Sequence, residues 1–402
     1  MANNRVTYAT AQVSIKDNKV AETSVISNDY VVGILSSGIS DADVEVGLTA
    51  VLDGVWPDEC DIMIDNEQIH YESWSTTSGC GTLTRGANGT TAISHLVAAE
   101  VKLKAWEVPY GMQNTSISTA FNTEDVFQIG QLDTYENLET LPEIEVSMER
   151  VLDGTKPLWL MCTDSRYSSL KGRTADFKVD IAVNVYPDSQ DSATGTADSV
   201  VFCSGMYISS ISYNFTTDGN FTESVTMIGN DKAWGTLVPT TPKPSGHFPT
   251  AASFNAAVVG EGVQRSENFN PHGTGGTLLP AEISTDDHIQ SVSVSADIGR
   301  EDIYELGTKA PYYRAVSFPI EVTCSFEVIT SKGDGVNALS AQDNLTARQI
   351  TITSDGGLTI NLGANNKLTS VSYGDFSTGG DSTTCTFEYS NSNSLLIEHT
   401  AE

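Results

Sequence analysis

The chain has 402 residues, enough for two or three ordinary cores, and it is 39% apolar and only 18% charged, with abundant Thr, Ser, Val, Ile and Gly. That composition argues for a folded, β-rich protein and against a disordered or mainly helical one. Fifty-two acidic side chains against 21 basic ones leave a formal net charge of −31, which argues against direct binding to nucleic acid phosphate or to an anionic membrane.

Residues 1–33 include VTYATAQVSI, a predicted strand. The opening MANNRVTYAT lacks the basic and then apolar pattern of a signal peptide, and no apolar run approaches the roughly 20 residues of a membrane helix, so folding in a cytoplasm is expected. Residues 34–104 read as an inserted β module. Ile62, Ile64, Ile69 and Tyr71 flank a turn at Asp65-Asn66-Glu67, and Asn88-Gly89 marks a second turn before His95. The module carries 11 Asp and Glu against Arg85, Lys102 and Lys104, so it is expected to face solvent.

Residues 105–235 together with 1–33 form the first main unit. Phe177, Val179, Ile181, Val183 and Val185 alternate with polar or small residues, the period of two expected for a strand with one buried face, and Ile144, Val146 and Met148 do the same. Turns are predicted at Asp153-Gly154 and Asp218-Gly219. Residues 236–285, with Pro239, Pro242, Pro244, Pro249, Pro271 and Pro280, have linker composition, although AASFNAAVV inside them has the makings of a short strand or helix. Residues 286–402 form the last unit, with alternation at Val292, Val294, Ala296 and Ile298 and at Leu358, Ile360 and Leu362, and a turn at Gly356-Gly357.

The two main units are copies of each other. Residues 114–142 align without a gap to 291–319, 177 positions later (291 − 114), and Glu124, Asp125, Gly130, Tyr135 and Pro142 match Glu301, Asp302, Gly307, Tyr312 and Pro319. After a one-residue slip, Ile144-Glu145-Val146-Ser147 stands opposite Ile320-Glu321-Val322-Thr323. Ser210-Ile211-Ser212-Tyr213 with Phe215 matches Ser370-Val371-Ser372-Tyr373 with Phe376 at an offset of 160 (370 − 210), which makes the second copy shorter in its middle. Each copy holds a polar segment, Gln131 to Leu141 and Thr308 to Phe318, that suits an extended arm or long hairpin. Docking on a neighbour and an ordinary surface loop are both open for it. The matched residues and Arg314 are the candidate inter-subunit arm positions. The expected architecture is two tandem β-sandwich domains with short helices, plus the inserted module.

No nucleophile elbow, zinc helix, phosphate loop or dinucleotide fingerprint occurs, and no carboxylate pair is singled out, so no catalytic, cofactor or metal residue is expected. Cys60, Cys80, Cys162, Cys203, Cys324 and Cys385 form no C-x-x-C pair and read as free, buried thiols. The six histidines lack ligand spacing, and neither Asp286-Asp287 nor Asp188 to Asp191 fits a calcium loop.

The stretches MQNTSISTAFNTEDVFQIGQLDTYENLETLPEIEVSMERVLDGTKPL and HIQSVSVSADIGREDIYELGTKAPYYRAVSFPIEVTCSFEVI resemble bacteriophage tail tube proteins, and IMIDNEQIHYESW followed by LTRGANGTTAISH looks like a small β module of phage virion proteins. The resemblance implies a non-enzymatic virion subunit, assembled in the bacterial host cytoplasm, whose rings stack into a channel for genome delivery. It implies two packed sheets, a short flanking helix and an arm that reaches the next ring or subunit. Because this chain carries the domain twice, the expected ring is a homotrimer with pseudo-sixfold symmetry. Tape measure and terminator proteins are the implied partners, and DNA passes as non-sticking cargo. The inserted module is expected outside the tube, which favours a flexible, non-contractile tail. A virion decoration or host-binding adhesin, with Trp56 and Trp74 as contacts, is the alternative.

Overall fold

A computed structural model describes residues 11–17, 31–49, 60–65, 67–75, 79–85, 92–103, 109–163, 170, 178–186, 198–235, 262–269, 277–283, 286–309, 311, 313–330, 333, 336, 338, 346–374 and 383–399. The protein is mainly β, as its composition predicts. Strand β1 (Ala11–Asp17) covers the described part of the first predicted strand. The inserted module contributes β2 (Val31–Leu35), β3 (Glu45–Val46), β4 (Leu48–Thr49), β5 (Cys60–Ile64), β6 (Glu67–Ser75), β7 (Gly79–Thr84) and β8 (Glu100–Leu103), in the order β3-β7-β6-β5-β8-β2-β4. Its predicted hairpin is present, with Ile64 paired to Glu67 across the turn and Ile62, Ile64, Ile69 and Tyr71 fully buried. Asn88-Gly89, Trp56 and AASFNAAVV lie outside the described residues, as does the side chain of Trp74.

The rest of the chain builds one large antiparallel sheet and its companions. In chain order the elements are β9 (Met112–Ala120), β10 (Thr123–Phe127), β11 (Thr134–Glu139), β12 (Glu143–Val151), the single helical turn α1 (Leu158–Met161), β13 (Lys178–Val185), β14 (Ser199–Thr216), β15 (Thr222–Gly229) and β16 (Asp231–Gly235). There follow β17 (His288–Asp297), β18 (Arg300–Ile303), β19 (Tyr313–Val316), β20 (Glu321–Ile329), β21 (Thr351–Thr353), β22 (Leu358–Asn361), β23 (Lys367–Tyr373), β24 (Thr384–Ser392) and β25 (Leu396–His399). The sheet runs β23-β24-β20-β17-β14-β15-β12-β9, with β13 and β16 also paired to β14 and β1 paired to β13. The two repeated segments therefore share one continuous sheet.

Ladder registers carry the repeat residue by residue. β9 ends at Ala120 and β17 at Asp297, 177 positions on (297 − 120). In the first half a bulge interrupts the β14–β15 ladder between Ile208 and Ser210, and in the second half one interrupts β23–β24 between Leu368 and Ser370, 160 positions on (368 − 208). One detail of the alignment is corrected. β12 and β20 begin at Glu143 and Glu321, 178 positions apart (321 − 143), so the second copy gains a residue after Pro319 where the sequence match had it lose one. Val146 opposes Ile117 as Cys324 opposes Val294, which closes the register.

Apolar positions on one face of the large sheet and on the companion strands β21, β22 and β25 belong to a single core. β13 is buried on both faces, where one was expected. The physical reason is the inserted module, whose core takes in Ala182, Tyr186, Val200 and Phe202 on the far side of β13 and β14. Described parts of the 236–285 segment are packed rather than loose. Gln264 is buried, its backbone bonds to Leu152 and Phe221 of the first half, and its side-chain carbonyl accepts from Ser354 and Gly356 of the second, at 3.1 Å each.

Candidate assembly interface

The repeat order determines what kind of contact the chain can make. Each half presents four strands in the same order, β14-β15-β12-β9 and β23-β24-β20-β17, and the last strand of the second half pairs with the first strand of the first half. This internal seam is antiparallel, from Ser210 opposite Asp297 to Thr216 opposite Ser291. The equivalents of its two strands are β9 and β23, which among the described residues are the two open edges of the run. An unpaired edge is a row of unused backbone donors and acceptors and a template for another strand.

Burial shows what the edges lack. Ile298, directly after β17, is 1% exposed and its N–H donates to the Ser209 carbonyl at 2.7 Å. Phe121, 177 positions earlier (298 − 121), is 80% exposed. Tyr213 of β14 is 1% exposed and Tyr373 of β23, its counterpart, is 41% exposed. The same positions are thus core at the seam and surface at the edges.

The polar segments predicted as arms are hairpins, β10–β11 and β18–β19. Gly130 and Gly307 occupy their tips with φ of +101° and +108° and open space around them, a left-handed conformation that only glycine adopts without strain. Asp125 accepts from Asn137 at 2.6 Å, and at the matching place Asp302 pairs with Arg314 at 3.0 Å. Glu124 and Glu301 lie on the first strands of these hairpins, and Tyr135 is largely exposed on β11. Pro142 offers its carbonyl to Asn230 at 2.7 Å, and Pro319 lies between β19 and β20. Tyr312 lies outside the described residues.

The second arm is tied to the first half across the seam. Arg300 donates through Nε to the Ile208 carbonyl at 2.8 Å and stacks over the Tyr207 ring at 5.2 Å. Arg314 also donates to Asn230 at 2.8 Å, and Lys309 reaches the Glu139 carbonyl at 3.5 Å. The first arm is the more exposed hairpin, with Phe127, Ile129, Leu132, Tyr135 and Leu138 in solvent. Arg300, Phe121 and Ile298 were not among the sequence candidates. The signal for them was the places where the copies differ, since Arg300 stands opposite Thr123.

The open face of the large sheet is acidic. Glu143, Glu145, Glu149, Asp297, Glu321 and Glu388 are exposed there among Ser and Thr residues. The buried carboxylates Glu223 and Glu67 are instead engaged internally. Glu223 is fully buried, accepts from Leu158 N at 2.7 Å, Trp159 N at 3.0 Å and Tyr213 at 2.7 Å, and so anchors α1. In the inserted module, buried Glu67 takes Arg85 at 2.7 and 2.8 Å and His95 at 2.8 Å, while the other His95 nitrogen meets Asp65 at 2.7 Å.

No group of side chains suited to a metal ion occurs among the described residues. Cys80, Cys162, Cys203, Cys324 and Cys385 are buried and in no disulfide, and burial pushes the Cys80 thiol up to about 12 and the Cys203 thiol up to about 11, which disfavours the reactive thiolate. No protein-family model matches the chain, and no curated protein is detectably similar to it in sequence.

Proposed function

We propose that the chain is a structural subunit of a bacteriophage tail tube, in which rings of three chains, six repeated units in all, stack around a channel for genome delivery. The observation that carries this reading is the head-to-tail seam inside the chain. A heterologous contact that uses two different edges can repeat indefinitely, and it ends without loose edges only when it closes on itself as a ring. The seam between β17 and β14 is such a contact already made once. Repeating it between β9 of one chain and β23 of the next pairs both ends of the described run.

The acidic, hydroxyl-rich face supports a lumen role. Carboxylates on the surface facing DNA repel its phosphates and keep the duplex from sticking as it moves. The core face cannot serve, because it is covered by the companion strands. Ring subunits of this kind need no active site, and the buried carboxylates of the described residues are engaged in structural bonds.

Negative-stain electron microscopy of the purified full chain, with mass measured in solution over a range of concentrations, tests the reading. Hollow rings of three chains and stacks of such rings are expected. A chain that stays monomeric at every concentration, or forms only solid particles, would falsify it.

A further inference from the structure

The two arms differ in a way that an open edge can read. At the closed seam the cation sits on the arm, where Arg300 reaches over Tyr207 to the Ile208 carbonyl and Arg314 reaches Asn230. On the first arm the matching residues are Thr123 and Asn137, 177 positions earlier (300 − 123, 314 − 137), and both are too short for that reach. Asn137 bonds within its own hairpin, to Asp125. On the receiving side the position of Tyr207 is taken in β23 by Lys367, 160 positions on (367 − 207), the same offset that relates the two bulges. The register agrees, since Tyr207 opposes Ile228 and Lys367 opposes Ser390 on the equivalent strand. The cation has changed sides.

What Lys367 would meet has the opposite sign. The first arm carries Glu124, Asp125, Asp133, Glu136 and Glu139 and no Lys or Arg, whereas the second arm balances Glu301, Asp302 and Glu305 with Arg300, Lys309 and Arg314. Lys367 is exposed at the start of β23.

Resting on the reading of the chain as a ring subunit, we propose that the joint between chains is a charge-exchanged version of the seam within the chain. Lys367 of one chain docks the acidic first arm of a second copy, taking the part of Arg300, while Phe121 fills the place that Ile298 fills at the seam. Transferring the seam register by the two offsets pairs Ser372 with Ser118, Val371 with Thr119 and Tyr373 with Ile117. The exchange also sets polarity. Pairing β9 with a second β9 would bring two acidic arms together and reverse the direction of the run, which then departs from a head-to-tail ring. Repulsion between like arms works against it, and attraction to Lys367 favours the head-to-tail joint.

The test uses the full chain carrying Ser118→Cys and Ser372→Cys under mild oxidation. Interchain disulfides linking the chains of a ring are expected. Adding Lys367→Glu is expected to raise the concentration needed for rings at least tenfold and to suppress the disulfide. The double change Thr123→Arg with Lys367→Tyr, which installs the seam's own pair at the joint, is expected to restore both. If Lys367→Glu leaves rings and cross-linking unchanged, the charge exchange is wrong while the ring reading stands. Rings without the cross-link overturn the register. Neither rings nor cross-link in the parent chain overturns the ring reading itself.

Discussion

The seam between β14 and β17 and the open edges at β9 and β23 are built from equivalent residues placed in opposite circumstances. At the seam every inward position has a neighbour on both sides, so Ile298 and Tyr213 are removed from water and the arm arginines find carbonyl and ring partners. At the edges the same positions, Phe121 and Tyr373, stand in solvent. Among the described residues the edges lack one neighbouring strand, and the contrast teaches that exposed apolar residues on a repeated fold are best judged against their own duplicates. An isolated exposed side chain needs no explanation. One whose duplicate is core does.

The comparison can be broken most severely at the hydrophobic position. Ile298→Ala is expected to lower the stability of the isolated chain by about 2–5 kcal/mol, because it opens a cavity at a closed seam. Phe121→Ala is expected to change that stability by less than about 0.5 kcal/mol, as surface substitutions do, yet to weaken ring formation. Urea denaturation under dilute conditions, run beside sedimentation at high concentration, separates the two. Equal losses of stability would mean that the edge is not an unfilled seam.

A smaller contrast lies in the tyrosines. Tyr213 donates to the buried carboxylate of Glu223, and its own ionisation is pushed up by burial and then by that carboxylate. Removing the hydroxyl by Tyr213→Phe is expected to cost about 1.5–3 kcal/mol, the range for a hydrogen bond to a charged group. Tyr373→Phe, at the open edge, is expected to cost under about 1 kcal/mol in the same melts.

The smallest effect is one of pH and concerns another contact between the halves. His399 of β25 bonds to the Gly154 carbonyl at 3.0 Å, and its pKa is lowered from the ordinary 6.5, chiefly by burial and also by Arg150; hydrogen bonds to Gly154 and Gly356 and the charge of Asp153 oppose this. A lowered histidine pKa means that the unfolded chain takes up the proton first. Stability from the neutral ring is therefore complete above 6.5 and is lost as pH falls through the folded value. Thermal melts between pH 7 and pH 5 are expected to show a shallower decline for His399→Gln than for the parent, and parallel declines would assign the slope to other groups.

Much of the β architecture was legible along the chain, because alternation with a period of two reports directly which face of a strand is apolar. Ile144, Val146 and Met148 are buried as that pattern predicts. The same parity explains the slip in the alignment. Offsets of 176 and 178 both keep inward residues inward, so the pattern could not distinguish them, and only the hydrogen-bonded register between β12 and β9 could. The double burial of β13 was illegible for a related reason. Ala182 and Asn184 are small or polar enough for a solvent face, and only the docked module shows that this face is covered.

The candidate interface divides in the same way. Acidic pairs, tip glycines and prolines of the arms could be picked out because they match between copies, whereas Arg300 and Lys367 could not, because each stands where its counterpart is something else. By itself the sequence determined the strand content and the acid-rich character of the chain, which follow from local composition and spacing, and it pointed to the internal duplication and the inserted module. Only the tertiary structure decided that β17 closes on β14, leaving β9 and β23 as edges among the described strands. Backbone donors and acceptors are alike in every strand, so the choice of partner comes from which side chains and arms meet once the strands stand side by side.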